Sequence, residues 1–97
     1  MTTDEFRQSA KEPAGTPPPG LSGALLALWH ETHGDWGRAH ECAQAARNRE
    51  GDWVHAYLHR KEGDAGNAAY WYAKAGRPFP KATSDEEWTA ISAELLG

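Results

Sequence analysis

Two histidines in the segment EGDWVHAYLHRKEGD, residues 50–64, have the spacing of a metal-binding pair. His55 and His59 are four residues apart, so on a helix they lie on the same face. A zinc site needs three or four converging ligands, and Glu62 is the next side chain on this face. We therefore consider a metal site at His55 and His59 as one hypothesis. A solvent-exposed stripe is the simpler alternative.

Other residues with reactive side chains form no catalytic constellation. HETHG, residues 30–34, approaches the metalloprotease motif, but its histidines are three apart and Gly34 stands where the second histidine belongs. Cys42 lies on a small apolar helical face, which favours a structural thiol over a nucleophile. The chain contains no phosphate-binding loop, nucleophile elbow or dinucleotide fingerprint. The sequence predicts a protein that is not an enzyme and has no cofactor.

Composition narrows the classes of partner. The 97 residues suffice for one small domain, and the net charge is -4. This charge disfavours binding to nucleic acid or to an anionic membrane, both of which attract cationic surfaces. The single cysteine excludes an intramolecular disulfide and suits a reducing compartment. With no apolar leader and no run of membrane-spanning length, we expect a cytoplasmic protein.

Three Gly-Asp pairs, at 34–35, 51–52 and 63–64, predict helix boundaries. Glycine adopts the left-handed conformation that ends a helix, and aspartate accepts a backbone N–H at the start of the next one. A capping box of Ser84 and Glu87 is expected to begin the last helix. The predicted helices are Leu21–His33, Trp36–Asn48, Trp53–Glu62, Ala65–Ala75 and Asp85–Leu96. The predicted fold class is all-α.

The N-terminal part of the chain differs in composition. Residues 1–20 are polar and end in the proline-rich segment EPAGTPPPG. Such a segment favours an extended, polyproline-like spacer over a packed element. We expect 1–20 to be a flexible tail outside the core, and 21–97 to be a helical hairpin-repeat domain.

An internal repeat appears when the chain is shifted by 29 residues. Positions with the same residue type in both copies are Ala27 with Ala56, His30 with His59, Gly34-Asp35 with Gly63-Asp64, Ala39 with Ala68, and Ala46 with Ala75. Small residues at a fixed period indicate stacked helical hairpins. The match also makes His30 a candidate third ligand beside His55 and His59.

This spacing of small residues resembles a tetratricopeptide repeat, and NAAYWYAKAG, residues 67–76, is similar to the second helix of Sel-type repeats. The chain is also similar to small uncharacterised bacterial proteins. The resemblance implies two tetratricopeptide-like helical hairpins in a right-handed stack that binds proteins or peptides without catalysis. The stripe of Trp88, Ile91 and Leu95 predicts a C-terminal capping helix on that stack.

The repeat geometry also implies a recognition surface. The candidate binding residues on it and on the adjoining aromatic run are Leu28, Glu31, Trp53, Tyr57, Arg60, Lys61, Tyr70 and Trp71. Simple amphipathicity instead turns Trp53 and Tyr57 towards the core and exposes His55 and His59. The sequence leaves both orientations of this helix open.

Three functional hypotheses follow from these patterns. The main one is a small α-hairpin module that binds another protein or a peptide, or that self-associates. The second is a metal-binding protein that uses His55 and His59. The third is an accessory subunit that is stable only with a larger partner.

Overall fold

A computed structural model describes residues 1–97 and contains six α-helices and no β-strand, which confirms the all-α prediction. The helices are α1 (Thr3–Lys11), α2 (Gly23–His33), α3 (Trp36–Ala46), α4 (Arg49–Lys61), α5 (Ala65–Ala75) and α6 (Ser84–Leu96). None of them has both the length and the apolarity needed to cross a membrane.

Two of the three Gly-Asp pairs form the predicted turns. Gly34 and Gly63 have positive φ angles of 100° and 86°. Asp35 caps α3 by accepting the Arg38 backbone N–H, and Asp64 caps α5 in the same way. These two turns join α2 to α3 and α4 to α5.

The prediction of a turn at Gly51-Asp52 is wrong, because both residues lie inside α4. The helix begins at Arg49, and the Asn48 side chain caps it by accepting the Gly51 backbone N–H at 2.7 Å. Gly51 instead permits close packing: a Cβ there would lie 2.6 Å from the Ala46 Cβ. The glycine allows the start of α4 to approach the end of α3.

The helix α4 occupies the centre of the fold and packs against α2, α3, α5 and α6. Its six consecutive residues from Trp53 to Leu58 are all buried. A helix that is buried all round has neighbours on every side. The sequence left open whether Trp53 and Tyr57 or His55 and His59 are exposed. Neither orientation describes α4, because neither face is fully open to solvent.

The alanines of the repeat lie at helix contacts. Ala27, Ala39, Ala56 and Ala68 are inaccessible to solvent, and Ala75 is nearly so. The most extensive helix contacts are between α4 and α5 and between α2 and α3. Small side chains at these contacts let the helices pack closely. The finer assignment to a right-handed hairpin stack stays a prediction.

The N-terminal segment does not lie outside the core, contrary to the boundary placed at residue 20. Thr3–Lys11 forms α1, whose Phe6 and Ala10 are buried in the main hydrophobic cluster. The spacing of four residues puts both side chains on one face of an otherwise polar helix. The Trp29 indole N–H also donates to the Ser9 hydroxyl at 3.0 Å. The packed fold therefore includes α1.

The last helix begins one residue earlier than predicted. Thr83, rather than Ser84, is the N-cap, and Glu86 rather than Glu87 completes the capping box. Trp88 and Ile91 are buried, as the apolar stripe predicted. Since the capping box uses Glu86, the Glu87 side chain is left to enter the core.

Candidate functional site

Three histidines from two helices converge on one point. His40 lies on α3, and His55 and His59 lie one turn apart on α4. One nitrogen from each ring lies within 4.8 Å of the other two. The His55 and His59 rings stack with centroids 4.8 Å apart, and the His40 ring meets them edge-on at 5.7 and 5.3 Å. The arrangement is a cluster of three imidazoles.

Hydrogen bonds fix the tautomers of the two outer rings. The Nδ1 of His59 lies 2.6 Å from a carboxylate oxygen of Glu62, and the Nδ1 of His40 lies 3.2 Å from the Trp36 carbonyl oxygen. Both partners accept only, so each Nδ1 carries the proton. In the neutral ring the lone pair is then on Nε2, which is the atom available to a metal.

The middle ring is buried and unsatisfied. His55 is 2% exposed, and no protein group forms a hydrogen bond with its Nδ1. Leaving a buried polar atom without a partner costs about 1–3 kcal/mol. Trp71 covers the ring, with centroids 4.0 Å apart. A buried polar atom without a partner, in a cluster of side chains that commonly bind metals, indicates a binding partner that the chain itself does not provide.

Burial also sets the charge of this ring. Desolvation, followed by the neighbouring His59 and His40, lowers the pKa of His55 to about 4. The ring is therefore neutral at physiological pH, and neutral imidazole is the form that ligates metals.

The geometry is close to that of a three-histidine metal site without matching it fully. Zinc–nitrogen bonds of about 2.0–2.1 Å in a tetrahedron place neighbouring nitrogens about 3.3 Å apart. The three ring nitrogens lie within 4.8 Å of one another, and a shared ion would draw them to the shorter distance. His40 and His59 are only half-buried, which leaves them room to rotate.

His40 was not predicted, and the predicted third ligand, His30, is elsewhere. His30 lies on α2 with its ring edge-on to Trp29 at 5.2 Å, outside the cluster. His40 is adjacent in sequence to Ala39, which is buried at a helix contact. This adjacency places His40 near the packed side of α3 but does not indicate which side chains it meets there.

A second group of possible ligands, His59, Glu62 and Asp64, is already committed to local bonds. Glu62 orients His59, and the Asp64 carboxylate accepts both the backbone and side-chain N–H groups of Asn67. These acidic residues therefore serve as an orienting group and a helix cap.

The predicted recognition surface is largely internal. Leu28, Trp53 and Tyr57 are buried, so they cannot form an exposed face for a partner, and that part of the prediction is wrong. The physical reason is that α2 and α6 both pack against α4 on this side. Trp71 is half-buried against His55, whereas Tyr70 is 57% exposed.

The charged members of the predicted surface form ion pairs across helices. Lys61 Nζ lies 2.7 Å from a carboxylate oxygen of Glu31, whose side chain is 5% exposed. Arg60 Nη1 lies 2.9 Å from Glu87, and its Nη2 donates to the Ala82 carbonyl. These residues join α4 to α2 and α6 rather than projecting freely.

The Glu87 carboxylate is the centre of a buried polar network. It accepts hydrogen bonds from the Tyr72 hydroxyl at 2.6 and 2.7 Å and from the Trp53 indole N–H at 3.2 Å, in addition to Arg60. Burial and this carboxylate raise the pKa of Tyr72, so its hydroxyl remains a donor. The network connects α4, α5 and α6 and has a structural role.

The HETHG segment and Cys42 have packing roles. His33 Nδ1 donates to the Ala10 carbonyl at 2.8 Å and its ring stacks on Trp29 at 4.7 Å, so the motif joins α2 to α1. Burial raises the pKa of Cys42, which keeps it as a thiol and disfavours nucleophilic chemistry.

Comparisons of this chain with protein-family models, with curated proteins and with solved structures found no match.

Proposed function

We propose that this protein binds a divalent transition-metal ion through His40, His55 and His59. The observation that carries the proposal is the convergence of one nitrogen from each of three histidine rings within 4.8 Å. The middle ring, His55, is buried, and its Nδ1 has no partner in the protein. The orientation of His59 by Glu62 supports it, because a carboxylate behind a ligating histidine is a usual feature of metal sites.

The donor set indicates the class of metal. Imidazole ligands suit zinc, copper and nickel, whereas magnesium and calcium prefer oxygen ligands. Three histidines leave a fourth position for water in a tetrahedral site. We expect copper(II) to bind more tightly than zinc or nickel, following the general order for nitrogen sites.

Metal binding would also connect two helices. His40 is on α3 and the other two ligands are on α4, so one ion would cross-link these neighbouring helices. A ligand that binds only the folded state raises the free energy of unfolding. When the ligand concentration exceeds Kd, this increase grows with the logarithm of the ratio of the concentration to Kd. A metal-dependent rise in melting temperature is therefore part of the proposal.

Calorimetric titration of the metal-free protein with zinc, nickel and copper(II) tests the proposal. We expect a single ion per chain, and a loss of affinity of more than about tenfold in His40→Gln and in His59→Gln. His30→Gln is the matched control, because His30 lies outside the cluster. Binding weaker than micromolar, or equal binding by the variants and the control, contradicts the proposal.

A second candidate function is protein binding. In this case the chain would be a cytoplasmic hairpin-repeat scaffold of the tetratricopeptide or Sel type. Its support is the exposed Tyr70 ring on α5, with Lys74 Nζ 5.8 Å from the ring centroid. Tyrosine is one of the residue types enriched among the anchors of protein interfaces. The partner would be a protein, a peptide or a second copy, or a complex in which this chain is an accessory subunit. Sedimentation of the wild-type protein and Tyr70→Ala, alone and with captured partners, tests this role.

A further inference from the structure

A second concave site lies on the opposite side of α4 from the histidine cluster. Tyr57 is two residues from both His55 and His59, and Lys61 is two residues after His59, so the side chains of Tyr57 and Lys61 point to the other side of the helix. They line a cleft of about 330 Å³ between α1, α2, α4 and α6. Its lining residues are Arg7, Lys11, Glu31, Thr32, Tyr57, Lys61, Asp85 and Trp88.

The innermost acidic group of the cleft is already neutralised. Glu31 pairs with Lys61 at 2.7 Å and accepts a long hydrogen bond from the Tyr57 hydroxyl at 3.5 Å. Burial, followed by Glu31, raises the pKa of Tyr57, so the hydroxyl stays protonated. At 3.5 Å this bond is at the limit of hydrogen bonding.

The remaining charges of the cleft have no partners in the chain. Arg7 and Lys11 project from α1, and neither lies within 4.0 Å of a carboxylate oxygen. The Arg7 guanidinium lies 4.2 Å from the Trp88 ring, which positions the group but leaves its N–H donors without an anion. Asp85, on α6, also forms no ion pair.

These charges define the complementary ligand. Two free cations favour a carboxylate, and one free carboxylate favours an ammonium group in the same molecule. A dianion such as phosphate would face repulsion from the unpaired Asp85 carboxylate in a chain whose net charge is -4. The volume is at the small end of ligand sites, which excludes a large cofactor.

We propose that this cleft binds a small zwitterion of the α-amino-acid class, with its carboxylate on Arg7 and Lys11 and its ammonium group on Asp85. Each ligand group then meets an unpaired protein group of opposite charge. The proposal does not depend on the histidine cluster, because the two sites share no residue.

Nuclear magnetic resonance of the full chain tests this site through the indole N–H signal of Trp88, one of five tryptophans. The probes are the standard L-α-amino acids, added singly to the metal-free protein, and Trp88→Phe assigns the signal. We expect at least one amino acid to shift this signal saturably. Arg7→Gln and Lys11→Gln should each weaken that binding by about tenfold, the loss of one charge-assisted hydrogen bond.

Derivatives of the best-binding amino acid separate the two charge contacts. The C-terminal amide lacks the carboxylate and the N-acetyl form lacks the ammonium group, so both should bind at least about tenfold more weakly. Asp85→Asn should weaken binding of the amino acid but not of its N-acetyl form. Arg38→Gln, on α3 and outside the cleft, is the control for general charge effects.

The proposal is overturned if no amino acid shifts the Trp88 signal saturably. It is equally overturned if the amide and N-acetyl derivatives bind as well as the parent compound. Unchanged affinity in both Arg7→Gln and Lys11→Gln, with melting temperatures equal to that of the wild type, also contradicts it. Lys11 makes no ion pair or cation–π contact, so Lys11→Gln tests the site even if Arg7→Gln disturbs packing.

Discussion

The Nδ1 nitrogen of His59 lies 2.6 Å from a carboxylate oxygen of Glu62, which is three residues further along the chain. The carboxylate can only accept, so it holds the proton on Nδ1 and leaves the lone pair on Nε2, the nitrogen available to a metal. Glu62 is therefore a positioning residue for the histidine cluster. Its own side chain is not one of the three converging imidazoles.

We expect Glu62→Ala to lower metal affinity by about 10–100-fold, the usual effect of removing the group behind a ligating histidine. Glu62→Gln, which keeps an acceptor oxygen, should recover part of the loss. Calorimetric titration measures both. Glu50→Ala, at an exposed position on the same helix, is the control. Affinity that is unchanged in Glu62→Ala would show that this carboxylate does not position the ligand.

The metal-free protein should lose stability as pH falls from 7 to 5. The pKa of His55 is about 4 in the folded protein against an ordinary value of 6.5, so protonation favours the unfolded chain. Desolvation by burial is the main cause, His59, His40 and Lys74 also disfavour the charged ring, and Glu62 opposes them only partly. The contribution is constant above pH 6.5 and is lost progressively between 6.5 and 4, by about 2 kcal/mol at pH 5.

Urea denaturation at the two pH values measures this loss. His55→Gln isolates the contribution of His55, because other titrating groups act on both proteins. Between pH 7 and pH 5, the free energy of unfolding of His55→Gln should fall by about 2 kcal/mol less than that of the wild type. Equal pH dependence in the two proteins would show that the burial of His55 does not disfavour its charged form.

Two of the three histidines in the cluster were accessible to sequence reasoning. His55 and His59 share a face because of the helical period, which is a local property. His40 joins them only because α3 packs beside α4 with a particular rotation, and no local pattern specifies that rotation. Trp53 and Tyr57, for which the sequence left a recognition surface and the core as alternatives, are buried.

Removing the Glu87 carboxylate should destabilise the protein strongly. Glu87→Ala leaves the buried Tyr72 hydroxyl and Trp53 indole without their acceptor and the half-buried Arg60 guanidinium without its carboxylate. Breaking a buried charge pair on one side costs about 3–5 kcal/mol. Chemical denaturation measures the loss. Glu94→Ala is the control on the same helix, since its ion pair with Arg77 is exposed and worth about 1 kcal/mol or less.

Equal losses in Glu87→Ala and Glu94→Ala would contradict a structural role for the network. Glu87→Gln retains one acceptor oxygen and removes the charge. It should therefore fall between the wild type and Glu87→Ala in the free energy of unfolding.

Helix type and most helix ends followed from sequence, whereas two features of packing did not. Gly51 was assigned to a turn because a Gly-Asp pair has the same chemistry there as at Gly34 and Gly63. Its actual role is steric and depends on Ala46 from another helix. The assignment of α1 to a tail failed for a similar reason, since overall polarity concealed the short apolar face of Phe6 and Ala10.

Phe6 provides a direct test of whether α1 belongs to the folded unit. Its ring is fully buried and lies 5.8 Å from the Trp88 ring, so Phe6→Ala should cost about 3–5 kcal/mol in the free energy of unfolding. Phe79→Ala is the matched control, because Phe79 is 43% exposed and should cost much less. Urea denaturation followed by circular dichroism measures both. If α1 were a detached tail, Phe6→Ala would leave the free energy of unfolding unchanged.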